Sequence, residues 1–348
     1  MKKMYFVLAV LVLVFLGIVL FREQASSENA DRISVTASFF PLAEIVRNVG
    51  QEQVTVVQIV ENGANIHDYE PSSAAVGEVI SSELFLFNGY ELDPWAENIV
   101  PHLEAQEVAY LEAATVVEGR KTAEAHEEDH HDDSVEVGNE EDHTDEHHDD
   151  EHHTDEHHES EHHEYEEGHH HGEYDPHIWL SIDNMILITE AVRDELSTVD
   201  PDNAEVYQAN ASEYIKELQT LAKEYEEGLA QCTHREAVVS HDAYSYLGDD
   251  YDISFIPVAG LSPHDEPSSM ELAELVEIVR KHNLEHVYME PFATRAFIDT
   301  IASETGAEVL LLNPASGLTK DQQEGTETYT TIMKKNLTQL QIGLQCEI

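Results

Sequence analysis

A block of 46 residues, from His126 to His171, divides this chain into two parts that must fold on either side of it. The block holds 15 of the chain's 23 histidines and 21 aspartates or glutamates, and it holds no lysine or arginine. Near its end, histidine pairs recur every five residues, and they are His147, His148, His152, His153, His157, His158, His162 and His163. A five-residue period matches neither the helical period of 3.6 nor the strand period of 2. We therefore predict a disordered insertion over residues 118–174.

Strand-like and helical patterns alternate on both sides of the block, which predicts βαβ units with parallel strands. The strand-like runs are 33–40, 54–60, 84–88, 107–111, 237–240, 253–258, 286–289 and 309–312. A long helical pattern begins at Pro201, reaches about Ala230 and includes Val206 on its apolar face. The predicted fold is α/β, with two lobes that each carry a mainly parallel sheet flanked by helices. Residues 31–200 form the first lobe, 201–231 a rigid linker helix and 232–348 the second lobe.

The N-terminal residues 1–30 have the pattern of an export segment. A basic start with Lys2 and Lys3 precedes an apolar run from Tyr5 to Phe21, and a polar segment follows. A cleaved signal peptide and an uncleaved membrane anchor both fit, because 17 residues are close to the shortest length that spans a bilayer. The basic start and the acidic remainder predict an extracytoplasmic protein, periplasmic or on the outer face of the cell membrane.

The two cysteines, Cys232 and Cys346, lie in the part that would be exported. Since an oxidising compartment favours disulfide formation, we expect them to pair, and two free buried thiols are the alternative.

The charge of the chain excludes one class of partner. The sequence has 72 acidic and 17 basic residues and a formal net charge of −55. A polyanion such as DNA or RNA would be repelled by such a chain, so we expect no nucleic-acid binding.

Three of the eight histidines outside the block share a context that indicates metal binding. His67 follows the second strand-like run, His241 ends the fifth, and His177 comes shortly after the insertion. Ligands of open α/β sheets bind beyond the carboxyl ends of strands. Three neutral imidazoles with one further position suit Zn²⁺. The neighbouring carboxylates that are candidates for orienting these rings are Asp68, Asp175 and Asp242.

Longer motifs surround these histidines and extend over most of the chain. They are Gly63-Ala-Asn-Ile-His-Asp-Tyr-Glu-Pro-Ser, Asp175-Pro-His-Ile-Trp-Leu, Ser240-His-Asp-Ala-Tyr-Ser-Tyr-Leu, Glu266-Pro-Ser and Leu312-Asn-Pro-Ala-Ser-Gly-Leu-Thr. Together they resemble the extracytoplasmic solute-binding proteins of zinc and manganese ABC importers, the ZnuA/TroA type. The resemblance covers about Ile33 to Leu344, and a histidine-rich acidic loop before the second metal histidine is typical of the zinc branch.

This resemblance implies one metal ion in a cleft between two lobes, held by His67 and His177 from the first lobe and His241 from the second. Many members take an aspartate or glutamate as fourth ligand, and the matching position here is Ser316. Water, a loop histidine or Glu290 are the candidates to complete the site, and we expect water or a loop histidine. Loss of the carboxylate favours Zn²⁺ over Mn²⁺ by ligand hardness.

The predicted function is high-affinity extracytoplasmic capture of Zn²⁺ and its delivery to the membrane permease of a zinc ABC transporter. We expect a monomer without enzymatic activity, and we expect the histidine pairs of the block to gather Zn²⁺ weakly near the cleft. Two alternatives remain open. One is a three-histidine zinc hydrolase or hydratase that activates water at an open position, and the other is a metal-buffering protein of the cell surface.

Overall fold

The computed structural model describes residues 32–122, 172–263, 266–293 and 295–347. The predicted export segment at 1–30 and the histidine pairs between positions 147 and 163 lie outside the described residues. The prediction of disorder over 118–174 is wrong at its two ends, because Lys121 and Tyr174 form an antiparallel bridge there. Within the described ranges, no helix combines the length and the apolar character needed to cross a bilayer.

The first lobe is built on one parallel sheet. Its elements are β1 (Ile33–Ala37), α1 (Phe40–Gly50), β2 (Val54–Gln58), α2 (Ser73–Ser81), β3 (Leu84–Phe87), α3 (Pro94–Ala105) and β4 (Ala109–Glu112). The strand order is β2-β1-β3-β4. All four residues of β3 are buried, and they alternate between two hydrophobic clusters on opposite faces of the sheet. A strand covered on both faces needs a continuous apolar run, as this one has.

Helix α1 begins earlier than the predicted strand 33–40 allows. The strand ends at Ala37 and Phe40 is already helical. Pro41 lies in the first turn of α1, where proline's fixed φ and missing N–H suit a helix start.

Two long helices follow the insertion. Helix α4 (Ile182–Val199) was not predicted from the sequence. Helix α5 (Ala204–Leu229) follows it after a short 3₁₀ turn. Helix α5 is the predicted linker, and 26 residues give it a length of roughly 39 Å. The prediction is wrong for Val206, which is 39% exposed rather than on the buried face. Helix α5 packs on α1 and α4 of the first lobe.

The second lobe repeats the strand-helix alternation. Its elements are β5 (Glu236–His241), α6 (Ser245–Tyr251), β6 (Ser254–Ala259), α7 (Ser269–His282), β7 (His286–Met289), α8 (Arg295–Thr305), β8 (Glu308–Leu311), α9 (Lys320–Glu324) and α10 (Tyr329–Gly343). Strands β5 and β6 pair in parallel, as do β7 and β8, and β5 lies beside β7. Helix α10 also packs on α5, so the linker contacts both lobes.

A break separates the last two helices, α9 and α10. Helix α9 ends at Glu324, and Thr326 then adopts a left-handed φ of 57°, which interrupts helical geometry. Helix α10 starts afresh after Thr328, whose side chain accepts a hydrogen bond from the amide of Thr331.

The predicted disulfide is confirmed. Cys232 and Cys346 are bonded across a sequence separation of 114 residues. The bond ties the segment after the linker helix to the segment after α10.

Candidate metal centre

The three predicted histidines come from three different elements and meet in one place. His67 lies in the loop between β2 and α2, and His241 is the last residue of β5. His177 directly precedes a 3₁₀ turn, Ile178–Leu180, which leads into α4. Among the residues that the structure describes, these three form a group whose ligand atoms all lie within 4.8 Å of one another.

The spacing of the imidazoles suits a tetrahedral ion. The Nε2 atoms of His67 and His177 are 3.3 Å apart. Zn–N bonds of about 2.0–2.1 Å in a tetrahedron place two ligand nitrogens about 3.3–3.4 Å apart. The ring of His241 lies 6.0 Å from that of His67 and 5.3 Å from that of His177, measured between centroids. The second lobe thus supplies the third imidazole at close range.

Each of the two deeply buried histidines is held by a carboxylate on its other nitrogen. Asp175 Oδ1 lies 2.8 Å from Nδ1 of His177 and also accepts a 2.9 Å hydrogen bond from the amide of His177. Glu290 Oε1 contacts Nδ1 of His241 and accepts a 2.8 Å bond from the hydroxyl of Ser240. Such pairs fix the tautomer, so that Nε2 is left for a metal ion.

Burial raises the pKa of Asp175 to about 7, although its hydrogen bond from the His177 amide and the charge of Arg120 lower it. The residue is 1% exposed, and its Oδ2 has no hydrogen-bond partner in the described parts of the chain. A divalent cation on the neighbouring imidazole would favour the ionised form of this carboxyl. Two carboxylates, Asp175 and Glu290, would then balance the charge of a dication.

The imidazoles open into a small cavity of about 40 Å³ between the lobes. Its lining residues are Ala64, Asn65, His67, His177, Trp179, His241, Pro263, Glu290, Phe292, Ala293, Pro314 and Ser316. Trp179 closes one side, because its indole nitrogen donates a 2.7 Å hydrogen bond to the carbonyl of Pro314 in the other lobe. A site of this size has room for an ion and water, since a cavity of about 10–15 Å³ already holds one water molecule.

The carboxylates that were candidates for orienting the histidines have different partners in the structure. Asp175 is the acceptor of His177, as expected. Asp242 is not the acceptor of His241, because it receives the hydroxyl of Ser245 at 2.9 Å. That role falls to Glu290, which follows β7 and comes near His241 because β5 and β7 lie side by side. No pattern in the local sequence shows this pairing.

The candidates for a fourth ligand differ in position. Ser316 lines the cavity. Glu290 also lines it, but the oxygen that contacts His241 meets Nδ1, on the side of the ring away from Nε2. Asp68 accepts a 2.7 Å bond from the side chain of Asn65, whose own oxygen accepts from the amide of His67 at 3.2 Å. The loop histidines between positions 147 and 163 lie outside the described residues.

Comparison with known proteins identifies the family. The model of the family described as "ZnuA: Zinc-uptake complex component A periplasmic" matches residues 35–343. The chain belongs to this family. The fold predicted from the sequence, two α/β lobes joined by a long helix, is therefore confirmed together with the family resemblance.

Individual members of the ZnuA family cover most of the chain. The zinc-binding lipoprotein AdcA of Streptococcus pneumoniae strain R6 is 32% identical over 337 residues, which are 97% of this chain and 60% of AdcA. The high-affinity zinc uptake system protein ZnuA of Bacillus subtilis is 29% identical, over 92% of this chain and 90% of that protein. The chain thus spans about 60% of the length of the AdcA relative.

A solved structure of the ZnuA family shows the same fold. It is the Zn(II)-bound ZnuA-like domain of Streptococcus pneumoniae AdcA, with 28% identity and a TM-score of 0.70. The match covers 90% of this chain and 99% of that domain.

Proposed function

We propose that this protein captures Zn²⁺ with high affinity outside the cytoplasm and delivers it to the permease of a zinc ABC transporter. The observation that carries the proposal is the meeting of His67, His177 and His241 from both lobes, with buried carboxylates behind two of them. Zinc-binding and zinc-uptake relatives, and a Zn(II)-bound structural neighbour, support zinc as the ligand. The lipoprotein and periplasmic names of the relatives support an extracytoplasmic location.

We assign the three metal bonds to the Nε2 atoms and the fourth position to water. Ser316 offers only a neutral hydroxyl at the edge of the cavity, and Glu290 is engaged by His241 and Ser240. An all-nitrogen protein ligand set favours Zn²⁺ over the harder Mn²⁺.

The size of the cavity argues against the zinc-enzyme alternative. A hydrolase needs space for an organic substrate beside the metal-bound water, and ligand pockets for such molecules usually measure about 300–1,000 Å³. The cavity here measures about 40 Å³. This room suits an ion that is held and released, with no substrate beside it.

Zinc-limited growth tests the proposal. A strain that lacks its own zinc-binding protein but keeps the matching permease receives the wild-type chain, the double variant His67→Ala/His241→Ala, or the control His102→Ala. His102 lies in the last turn of α3, away from the cavity. We expect the wild type and the control to restore growth and radioactive zinc uptake under chelation, and the double variant to fail.

A variant that lacks residues 126–171 separates import from surface buffering. Import through the three-histidine site predicts that this variant still restores uptake, because the site remains intact. Buffering by the histidine block predicts that it fails. Restored uptake by the double histidine variant would refute the proposed site.

A further inference from the structure

The two segments that lead into and out of residues 123–171 pair with each other. We call residues 119–122 and 172–175 the stem. Lys121 and Tyr174 form an antiparallel bridge, the amide of Thr122 donates to the carbonyl of Glu173 at 3.0 Å, and the amide of Asp175 donates to the carbonyl of Arg120 at 2.8 Å.

The stem rests on the first lobe. The ring of Tyr174 stacks on that of Tyr90, with centroids 4.9 Å apart and planes inclined by 23°. Gly119 is required by this packing, because a Cβ there would lie 2.4 Å from the hydroxyl of Tyr90.

One tyrosine of the second lobe forms hydrogen bonds with the stem. Tyr246 of α6 is 7% exposed, and its hydroxyl donates to the carbonyl of Asp175 at 2.9 Å. The same hydroxyl accepts a 3.0 Å hydrogen bond from the amide of Arg120. One side chain of the second lobe therefore joins both strands of the stem.

An ion pair accompanies the tyrosine. Nε of Arg120 lies 2.8 Å from Oδ2 of Asp249, which is three residues after Tyr246 on the same helix. Both side chains are partly exposed, at 39% and 65%, so the ion pair alone contributes little stabilisation. It joins Arg120 to helix α6, as the hydroxyl of Tyr246 does.

Asp175, which Tyr246 contacts, is also the residue that orients His177. The backbone of Asp175 receives the hydroxyl of Tyr246, while its side chain receives the amide and lies against Nδ1 of His177. A change in the position of this backbone would move the carboxylate, and with it the imidazole. Both contacts, with Tyr246 and with His177, are made by the same residue, Asp175.

We propose that Tyr246 is a positioning residue of the metal site, which clasps the stem to the second lobe and so holds Asp175 and His177 in their metal-binding geometry. This inference rests on the proposed zinc-binding function. Since the clasp joins the two lobes, separation of the lobes breaks it. His177 then loses its support in the same movement that withdraws His241. Metal release and lobe opening are thereby linked, because the ion prefers the state in which both contacts exist.

The substitution Tyr246→Phe tests the clasp because it removes the hydroxyl and keeps the ring. We expect Zn²⁺ to dissociate about tenfold faster from this variant, within the range seen when partners behind a metal ligand are removed. Stopped-flow mixing of the Zn²⁺-loaded full chain with excess chelator measures this rate. Asp249→Asn, at an exposed position, should increase the rate about twofold.

A matched control is Tyr251→Phe, on the same helix, where the ring packs on Tyr225. It should leave the rate unchanged. A second readout is the NMR signal of the Nδ1 proton of His177 in the Zn²⁺-loaded protein. This signal should shift in Tyr246→Phe but not in Tyr251→Phe, whereas a purely structural role for Tyr246 would lower the melting temperature and leave it in place.

An unchanged dissociation rate in Tyr246→Phe would overturn the proposal, whatever the rate in Asp249→Asn. Failure of the wild type to bind Zn²⁺ tightly would instead refute the proposed function. In that case the clasp itself is tested by amide hydrogen exchange of Arg120, which should be faster in Tyr246→Phe than in the wild type. Equal exchange would overturn the clasp as well.

Discussion

Charge balance explains why two carboxylates lie buried beside histidines. Asp175 and Glu290 are 1% and 4% exposed, and each contacts the Nδ1 atom of a metal-facing imidazole. Buried charges are costly unless they are paired. A dication bound by neutral imidazoles, as proposed, would place two positive charges near these carboxylates and so stabilise the groups that orient the ligands.

Ser316 lines the cavity with a neutral hydroxyl, and this predicts the effect of placing a carboxylate there. In Ser316→Glu we expect the ratio of Mn²⁺ to Zn²⁺ affinity to rise by about tenfold, or 1.4 kcal/mol. The reason is that a carboxylate is a harder ligand than the imidazoles around it and suits Mn²⁺ better. Competition between the two metals, followed by metal analysis of the desalted protein, measures this ratio.

Ser316→Ala is the control for that substitution. If water is the fourth ligand, the alanine variant binds Zn²⁺ as the wild type does. A loss of tight binding in Ser316→Ala would show that the serine hydroxyl itself is a ligand.

Asp93 supports the site from further away and makes stability depend on pH. Its two oxygens accept the amides of Asn88 and Gly89 at 2.8 and 3.0 Å, and the side chain of Asn88 donates to the carbonyl of Pro176, next to His177. Burial raises the pKa of Asp93 from 3.8 to about 6, although hydrogen bonds from Asn88, Ser38 and Gly89 lower it.

Because the folded-state pKa of Asp93 is the higher one, its protonated form stabilises the fold at about pH 4, and this contribution is lost as the pH rises through about 6. Between pH 4 and pH 7 the loss amounts to about 2 kcal/mol, because the carboxyl of the unfolded chain is already more than half ionised at pH 4. In Asp93→Asn this contribution is absent. The stability advantage of the wild-type apoprotein over the variant should therefore shrink by this amount between pH 4 and pH 7 in denaturant titrations. A constant difference across that range would contradict it.

The three histidines that cluster in the cleft could be predicted from the sequence, but the residues that hold them could be predicted only in part. His67 follows a strand and His241 ends one, both lie in distinctive motifs, and His177 follows the insertion. Asp175 is two residues from its partner His177, so this contact could be predicted from the sequence. Glu290 and Tyr246 act on residues 49 and 71 positions away, and such contacts depend on how β5, β7 and the stem pack together.

Helix α5 gives the connection between the lobes its stiffness. Its buried face includes Tyr207, Leu218 and Tyr225, and the hydroxyl of Tyr225 donates to the carbonyl of Met333 in α10 at 2.7 Å. The preceding helix α4 buries Ile182, Met185, Ile188, Val192 and Leu196. These residues follow helical spacing, so hydrophobic periodicity is the signal by which α4 could have been predicted.

The disulfide closes a long loop around the second lobe, and its removal should lower stability. The double variant Cys232→Ser/Cys346→Ser should lose about 4 kcal/mol of unfolding free energy, because the unfolded chain is no longer cross-linked. Denaturant titration of the variant, and of reduced wild type as a control, measures the loss. Neither cysteine lines the metal cavity, so zinc affinity should be retained. Equal stability of the oxidised wild type and the variant would contradict the expected contribution.

At the scale of the whole molecule, both lobes contribute to the group of three histidines proposed to bind the metal. One hydrophobic cluster includes residues of the first sheet, of α5 and of α10, so the lobes share a core at the linker. On the cleft side, contacts such as Trp179 to Pro314 and Tyr246 to Asp175 are hydrogen bonds that can separate. The lobes are therefore joined by a shared hydrophobic core at the linker and by individual hydrogen bonds at the cleft.

The histidine block should add weak zinc sites without forming the tight one. A variant that lacks residues 126–171 should bind fewer Zn²⁺ ions in a calorimetric titration and keep one tight site. The weak sites should also disappear from the wild type as the pH falls, because the imidazoles must lose their protons to bind metal. An unchanged stoichiometry in the shortened chain would show that the block does not bind zinc.

Competition of this shortened chain with a coloured zinc chelator measures the three-histidine site directly. Loss of a partner behind a ligand already lowers metal affinity by about 10–100-fold, so loss of a ligand in His241→Ala should lower it further. His282→Ala is the control, because His282 pairs with Glu236 on the surface. We predict one tightly bound Zn²⁺ in the parent and the control and none in His241→Ala. Tight binding retained in His241→Ala would contradict the assignment of the metal site to the three histidines.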